Sequence, residues 1–226
     1  MSGDVDETGF VQLMPREFHA MPGVGDWRVL FWGAYAFYPT DSFAQAAQFV
    51  ADIARAAEQV GHEPDVDVRP EGVTVRSFSR RDGALSRIDG ELAAAIGAAA
   101  RERGLVADPS RLQVVGIAVA QDADTDTRPF WEAAFGTYER LGDEDLIDPL
   151  RRGPHLWFHP LSPPRPGRGR NHIDVSVPAE EAEKRVAAAL AAGGRMVDDS
   201  HAPGWWTIAS PENHGVDIAG WADFMA

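Results

Sequence analysis

The sequence predicts an α+β protein in two parts: an antiparallel four-stranded sheet with helices on one face, then a pair of βαβββ modules. Three observations lead there. The first hundred residues run strand, strand, helix, and then do so again. The second half repeats itself at an offset of 58 residues, with 114–119 answering 172–177. Two helix-breaking stretches, Asp108-Pro109-Ser110 and the Pro/Gly/Arg run over 163–170, fall where such units would be joined.

Residues 1–23 are polar and mixed in character and read as a weakly ordered lead-in. Short aromatic-rich strands follow at 27–31 and 34–38, joined around Trp32 and Gly33. Asp41 is placed as the N-cap of a helix in which Phe43, Ala46, Ala47, Val50, Ile53, Ala54 and Ala57 recur every three or four residues. Gly61 ends that helix. Val66 and Val68 alternate with Asp67 and Arg69, Pro70-Glu71-Gly72 turns the chain, and Val73, Val75 and Ser77 alternate on the return, the pattern of a hairpin. Ser86, with Asp89 three residues on, opens a second helix over 87–103 in the manner of a capping box, and Gly104 stops it. The first domain is therefore set at 24–108 and the second at 111–221, the latter as modules 111–161 and 171–221.

In each module an opening strand is followed by a helix (128–135 and 179–192), a glycine (Gly136 and Gly194) and three short strands. Pro178 suits a first helical turn, and Glu180, Glu181 and Glu183 suit the positive end of the helix dipole. The last strands, 155–161 and 215–220, place His159 opposite Asp217 at the same 58-residue offset. A duplicated unit cannot bury its apolar face alone, so the two copies are expected to share a core and a cleft. Trp157, Phe158, Trp205 and Trp206 fall on predicted strands. Because strand neighbours alternate, one of each pair faces the core, and Trp157 and Trp205 are assigned to the ligand side. His19, His155 and His201 are read as surface residues.

Bulk properties narrow the function. The 226 residues carry a net charge of −14, which argues against nucleic acid or an anionic membrane as partner, since phosphate contacts need a basic face. Arg165, Arg168 and Arg170 are a local exception within a linker-like, solvated run. The absence of cysteine excludes disulfides, thiolate nucleophiles, iron–sulfur clusters and zinc–cysteine sites. No stretch reads as a signal peptide or a membrane span, so the expected location is the cytoplasm.

Residues 24–104 resemble pterin-4a-carbinolamine dehydratases. The strand pair from Trp27, the run Ala56-Ala57-Glu58, the run Gly61-His62-Glu63-Pro64-Asp65-Val66-Asp67-Val68, the Val73-Thr74-Val75 strand and Gly83-Ala84-Leu85-Ser86 before Asp89 carry the likeness. The resemblance implies a hydro-lyase that removes water from a 4a-hydroxytetrahydropterin with acid–base side chains. It makes His62 and Glu63 the catalytic candidates, and Pro64 and Arg80 ligand contacts. It also implies a homo-oligomer. The family's histidine motif is degraded here: Glu63 and Arg80 stand where histidines are found, and an arginine cannot cycle a proton.

Residues 111–221 resemble the glyoxalase-like branch of the vicinal-oxygen-chelate superfamily, on Phe130-Trp131 before Gly136, Arg170-Asn171-His172-Ile173-Asp174, Gly193-Gly194 and Ser210-Pro211-Glu212-Asn213. That plan implies four metal-ligand positions, which fall on Val114, His159, His172 and Asp217. Val114 cannot ligate. The remaining two imidazoles and one carboxylate are chemically adequate for Zn, Mn, Fe, Co or Ni. The blander reading has His172 as a strand residue hydrogen-bonded to its neighbours and no cofactor at all.

Three readings stay open at this point. The chain is a dehydratase-like lyase fused to a glyoxalase-like domain and acting on a pterin, a metal-assisted enzyme acting on an oxygenated small molecule, or a ligand-binding protein without catalysis.

Overall fold

The computed structural model describes residues 12–31, 33–79, 83–121, 124, 126–135, 137–142, 145–160, 171–209 and 215–221. Two compact units result, Met1–Leu112 with Trp221–Ala226, and Gln113–Gly220.

In the first unit β1 (Arg28–Leu30), β2 (Gly33–Pro39), β3 (Asp65–Arg69) and β4 (Gly72–Ser77) form one antiparallel sheet in the order β1-β2-β4-β3. Tyr38 pairs with Val73 and Ala36 with Val75, and all four side chains are fully buried. They share a core with Phe49 and Ile53 of α2 (Phe43–Val60) and Leu92 and Ile96 of α3 (Arg87–Glu102). Each such large apolar side chain contributes about 1.5–3 kcal/mol on burial. Gly61 ends α2 in the left-handed conformation, at φ 75°, which a residue without Cβ adopts at no steric cost.

Two local expectations are corrected. The N-cap of α2 is Ser42, whose Oγ accepts from the Gln45 N–H at 3.2 Å; Asp41 instead gives its backbone N–H to the Gln45 side chain at 2.6 Å. Both residues suit a cap, and only the backbone path decides between them. Part of the stretch read as a lead-in is built into the core: α1 (Pro15–His19) buries Phe18 completely, and the Met14 N–H is tied to the Glu17 carboxylate at 2.8 Å. One aromatic anchor in a polar segment is too sparse a pattern for periodicity to detect.

The second unit is an eight-stranded sheet in the order β10-β11-β12-β9-β5-β8-β7-β6. Its first module is β5 (Val114–Gln121), α4 (Arg128–Phe135), β6 (Glu139–Leu141), β7 (Asp145–Ile147) and β8 (His155–Pro160). The second is β9 (Asn171–Ser176), α5 (Ala179–Ala191), β10 (Arg195–Asp198), β11 (Trp205–Ala209) and β12 (Gly215–Ala219). The modules meet where β5 and β9 pair antiparallel, Gly116 against Asp174. One face of the sheet packs on the helices: Trp206, Ile208 and Ile218 with Val186 of α5, and Val119, Leu146, Leu156 and Phe158 with Trp131 of α4. The alternate residues line the opposite face, among them Trp157, His159, His172, Asp174, Trp205 and Asp217. Among the described residues no helix is long and apolar enough to cross a membrane.

Candidate functional site

In the first unit the end of α2 delivers His62 to the start of α3. The His62 imidazole is 17 % exposed, and its Nε2–H donates to Asp89 Oδ1 at 2.8 Å. Asp89 is the third residue of α3 and is fully buried. Its Oδ1 also accepts from Ser77 Oγ at 2.6 Å, while Oδ2 accepts from the Ser86 N–H at 2.8 Å and Ser86 Oγ at 3.0 Å. Four donors therefore converge on one carboxylate. Burial opposes its ionisation, but the bonds from His62, Ser77 and Ser86 outweigh that cost and hold Asp89 below the usual carboxylate range.

His62 lines a cavity of about 840 Å³ together with Glu63, Pro64, Ile53, Ala57 and Phe78. Three of the expected site residues, His62, Glu63 and Pro64, thus share one pocket with an apolar wall. Arg80 lies outside the described residues, as do Gly136, the arginines of 165–170, and 210–214. Asp89 and Ser77 are the residues sequence reasoning missed as site members. The capping-box spacing located the Asp89 carboxylate, but its contact with His62, 27 residues away, carries no local pattern.

In the second unit His172 and Asp174 stand two residues apart on β9, hence on one face, and Asp217 is the β12 neighbour of Asp174. His172 Nε2 lies 3.3 Å from Asp174 Oδ1 and 3.3 Å from Asp217 Oδ2. Hydrogen bonds to Asp174 and then Asp217 prevail over burial and push the His172 imidazolium up to about 10. The Trp157 indole N–H donates to Asp174 Oδ2. Small residues flank His172: Gly215, where a Cβ would come within 3.2 Å of the His172 Cβ, on one side, and its β5 partner Ala118 on the other.

The expected trio is brought together only in part. His172 and Asp217 are adjacent, and the third member of the tight group is Asp174, not His159; the donor atoms of His172, Asp174 and Asp217 all lie within 4.8 Å of one another. The His159 ring stands alongside, with its centroid 5.9 Å from that of His172 and 4.9 Å from that of Trp157. Register explains the displacement. Asp217 pairs with Asp174, but the residue paired with Gly116, the counterpart of Asp174, is His155; His159 pairs with Ala120, further along the strand. His155, read as a surface residue, is accordingly half-buried within β8. Trp157 and Trp205 lie on the open face and Phe158 and Trp206 in the core, as alternation requires, and His201 stacks on Trp205 at 4.0 Å.

The donor set fits a divalent cation. It combines imidazole and carboxylate, a mixture suited to first-row divalent ions. Asp217 Oδ1 and His159 Nε2 are buried and have no hydrogen-bond partner among the described residues, so each keeps a lone pair or a ring nitrogen unspent.

Comparison with known proteins agrees with both halves. Residues 21–99 match the family model described as Pterin 4 alpha carbinolamine dehydratase, and residues 113–219 match the Glyoxalase-like domain. A protein of Roseiflexus castenholzii, assigned as a pterin-4-alpha-carbinolamine dehydratase, is 42% identical over 55 residues, 24% of this chain and 59% of its own length. The match thus spans little more than half of that relative. A crystal structure titled transcriptional coactivator/pterin dehydratase, from Brucella Melitensis, is 21% identical, with a TM-score of 0.36 over 39% of this chain and 98% of that one. The chain is a fusion of a pterin carbinolamine dehydratase-like domain and a glyoxalase-like domain.

Proposed function

We propose that the first unit binds a pterin-like heterocycle and eliminates water from its 4a-hydroxylated form, with His62 as the single proton shuttle. What carries this reading is the His62 imidazole lining an 840 Å³ cavity while its Nε2 is committed to the buried Asp89. Nδ1 is then the nitrogen left to trade protons with a ligand. Protonated His62 gives its Nδ1 proton to the 4a-hydroxyl. The C4a–O bond breaks, water departs, and the N5 lone pair forms a C4a–N5 double bond. The N5 proton, now acidic, returns to Nδ1, so no net proton is consumed. Asp89 stabilises the imidazolium on both sides of the step, a task for a carboxylate held ionised. One imidazole suffices in this scheme, which accommodates Glu63 and Arg80 in place of histidines. Glu63 and Pro64 form the wall against which the ring is held.

The test is a stopped-flow dehydration assay on 4a-hydroxytetrahydropterin, comparing the full chain with His62→Ala. Identical rates at the uncatalysed background end the proposal. Self-association of the chain, which the resemblance implies, belongs to the same proposal and is read by sedimentation.

A second reading applies to the other unit, favoured by the close grouping of His172, Asp174 and Asp217 beside orphaned polar atoms. There His172 and Asp217, with His159 alongside, hold a divalent metal ion, and Trp157 and Trp205 flank the space for an oxygenated small molecule. Such an ion, when bound, acts as a Lewis acid on substrate oxygen. Metal analysis of untagged protein checks it, with stoichiometric metal expected and none refuting it.

A further inference from the structure

The pairing of β5 with β9 singles out one residue. Val114 lies against Ser176, Gly116 against Asp174 and Ala118 against His172. Under the 58-residue offset, Gly116 and Asp174 are counterparts, so the two copies of this position pair with each other. A local two-fold axis therefore passes between them, and whatever stands there lies midway between β12 on one side and β8 on the other. One copy has glycine and the other aspartate, so a single carboxylate occupies the axis with no side chain opposing it. Its own side chain is 10 % exposed. Trp157 donates to Oδ2, which leaves Oδ1 directed at His172 Nε2, 3.3 Å away.

We infer that Asp174 is a metal ligand, supplying from the axis the donor that Val114 cannot offer, with the Trp157 indole fixing which carboxylate oxygen binds. This rests on the metal reading of the second unit and adds to it. The resulting set is His172, Asp174 and Asp217, with His159 beside it as an imidazole whose Nε2 is buried and unpartnered among the described residues. A donor set of this kind takes Mn, Fe, Co or Zn in preference to an alkaline-earth ion, because at least one ligand is imidazole.

The experiment uses Co²⁺ as the probe on the metal-stripped full chain, read by calorimetry and by the visible absorption of the bound ion. Wild type is expected to bind one Co²⁺ per chain. Asp174→Asn, close in shape, is expected to weaken binding by more than 100-fold with its far-ultraviolet circular dichroism unchanged. Trp157→Phe leaves β9 untouched and is expected to weaken binding by about 10-fold and shift the Co²⁺ spectrum, as loss of an outer hydrogen bond to a ligand does. Wild-type binding with unchanged affinity in Asp174→Asn overturns the inference and leaves the metal reading standing. If Asp174→Asn loses its fold, Trp157→Phe decides: an unchanged affinity and spectrum overturn the inference. No Co²⁺ binding by wild type overturns the metal reading and the inference with it.

Discussion

Replacing Asp89 by asparagine separates the two jobs of this carboxylate. Asparagine keeps the shape but turns one oxygen into an amide that donates. Placed at the Oδ2 position, that amide would orphan the Ser86 backbone N–H, which has no freedom to reverse its polarity. Placed at Oδ1 it meets His62 and Ser77, and both can adapt: the serine hydroxyl rotates and the imidazole moves its proton to Nδ1. The second arrangement wins. All four bonds lose the charge of the carboxylate, at a cost of about 0.5 kcal/mol each, so roughly 2 kcal/mol in all. For a unit of this size that lowers the melting midpoint by about 8 °C. Turnover suffers far more. Nδ1 now carries a fixed proton, Nε2 has become an acceptor, and the imidazolium has lost its counter-charge. The comparable tautomer error in a serine protease triad costs about 10⁴-fold. Expected for Asp89→Asn, therefore, is a folded chain with dehydration slowed by three to four orders of magnitude. Thermal unfolding and stopped-flow rates measure the two effects, and ¹⁵N chemical shifts of His62 report the tautomer. A variant within 10-fold of wild-type activity refutes the reasoning, and so does one destabilised by more than about 4 kcal/mol, the range for breaking a buried charged pair.

Other expectations follow from the same structure. His62→Ala should bring dehydration to background and also lower stability, because it strips one of four donors from a buried carboxylate; a fully active variant retires the proton shuttle. Since Asp89 is held below the ordinary carboxylate value, its contribution to stability is present above that value and is lost as pH falls through the lower, folded-state one. Urea unfolding between about pH 5 and 2 should show this slope in wild type and a shallower one in Asp89→Asn, and parallel curves would contradict it. Gly194→Ala would set a Cβ 2.7 Å from the Ala189 carbonyl oxygen, where α5 ends, and should destabilise the second unit by about 1–3 kcal/mol on chemical denaturation; an unchanged midpoint refutes it.

Much of the architecture is legible in the residues themselves. The hairpin of β3 and β4 follows from alternating valines about Pro70-Glu71-Gly72, and α2 from alanines and phenylalanines at helical spacing. The duplicated strand–helix–strands plan follows from self-similarity alone. What eluded sequence reasoning is relational. A constant offset of 58 residues aligns His159 with Asp217, but inter-strand register depends on loops that differ between the modules, and it is His155 that pairs with Gly116. Asp174 was within reach, since a residue two positions from His172 on a strand must share its face. The Asp89–His62 bond was not, because nothing local ties the end of one helix to the beginning of another. Phe18 shows the same limit: one buried aromatic makes no periodic signal.

The β5–β9 seam constrains how this chain can change. Side chains on that seam can be exchanged singly, and the helices and loops at the rim can lengthen or shorten without moving it. Deleting or inserting one residue within β9 is different in kind, because it would exchange the faces of Ile173 and Val175 with those of His172 and Asp174 in a single event. Variation that keeps His172, Asp174 and Asp217 on one face is therefore confined to point replacements in this strand, and length variation to the connections outside it.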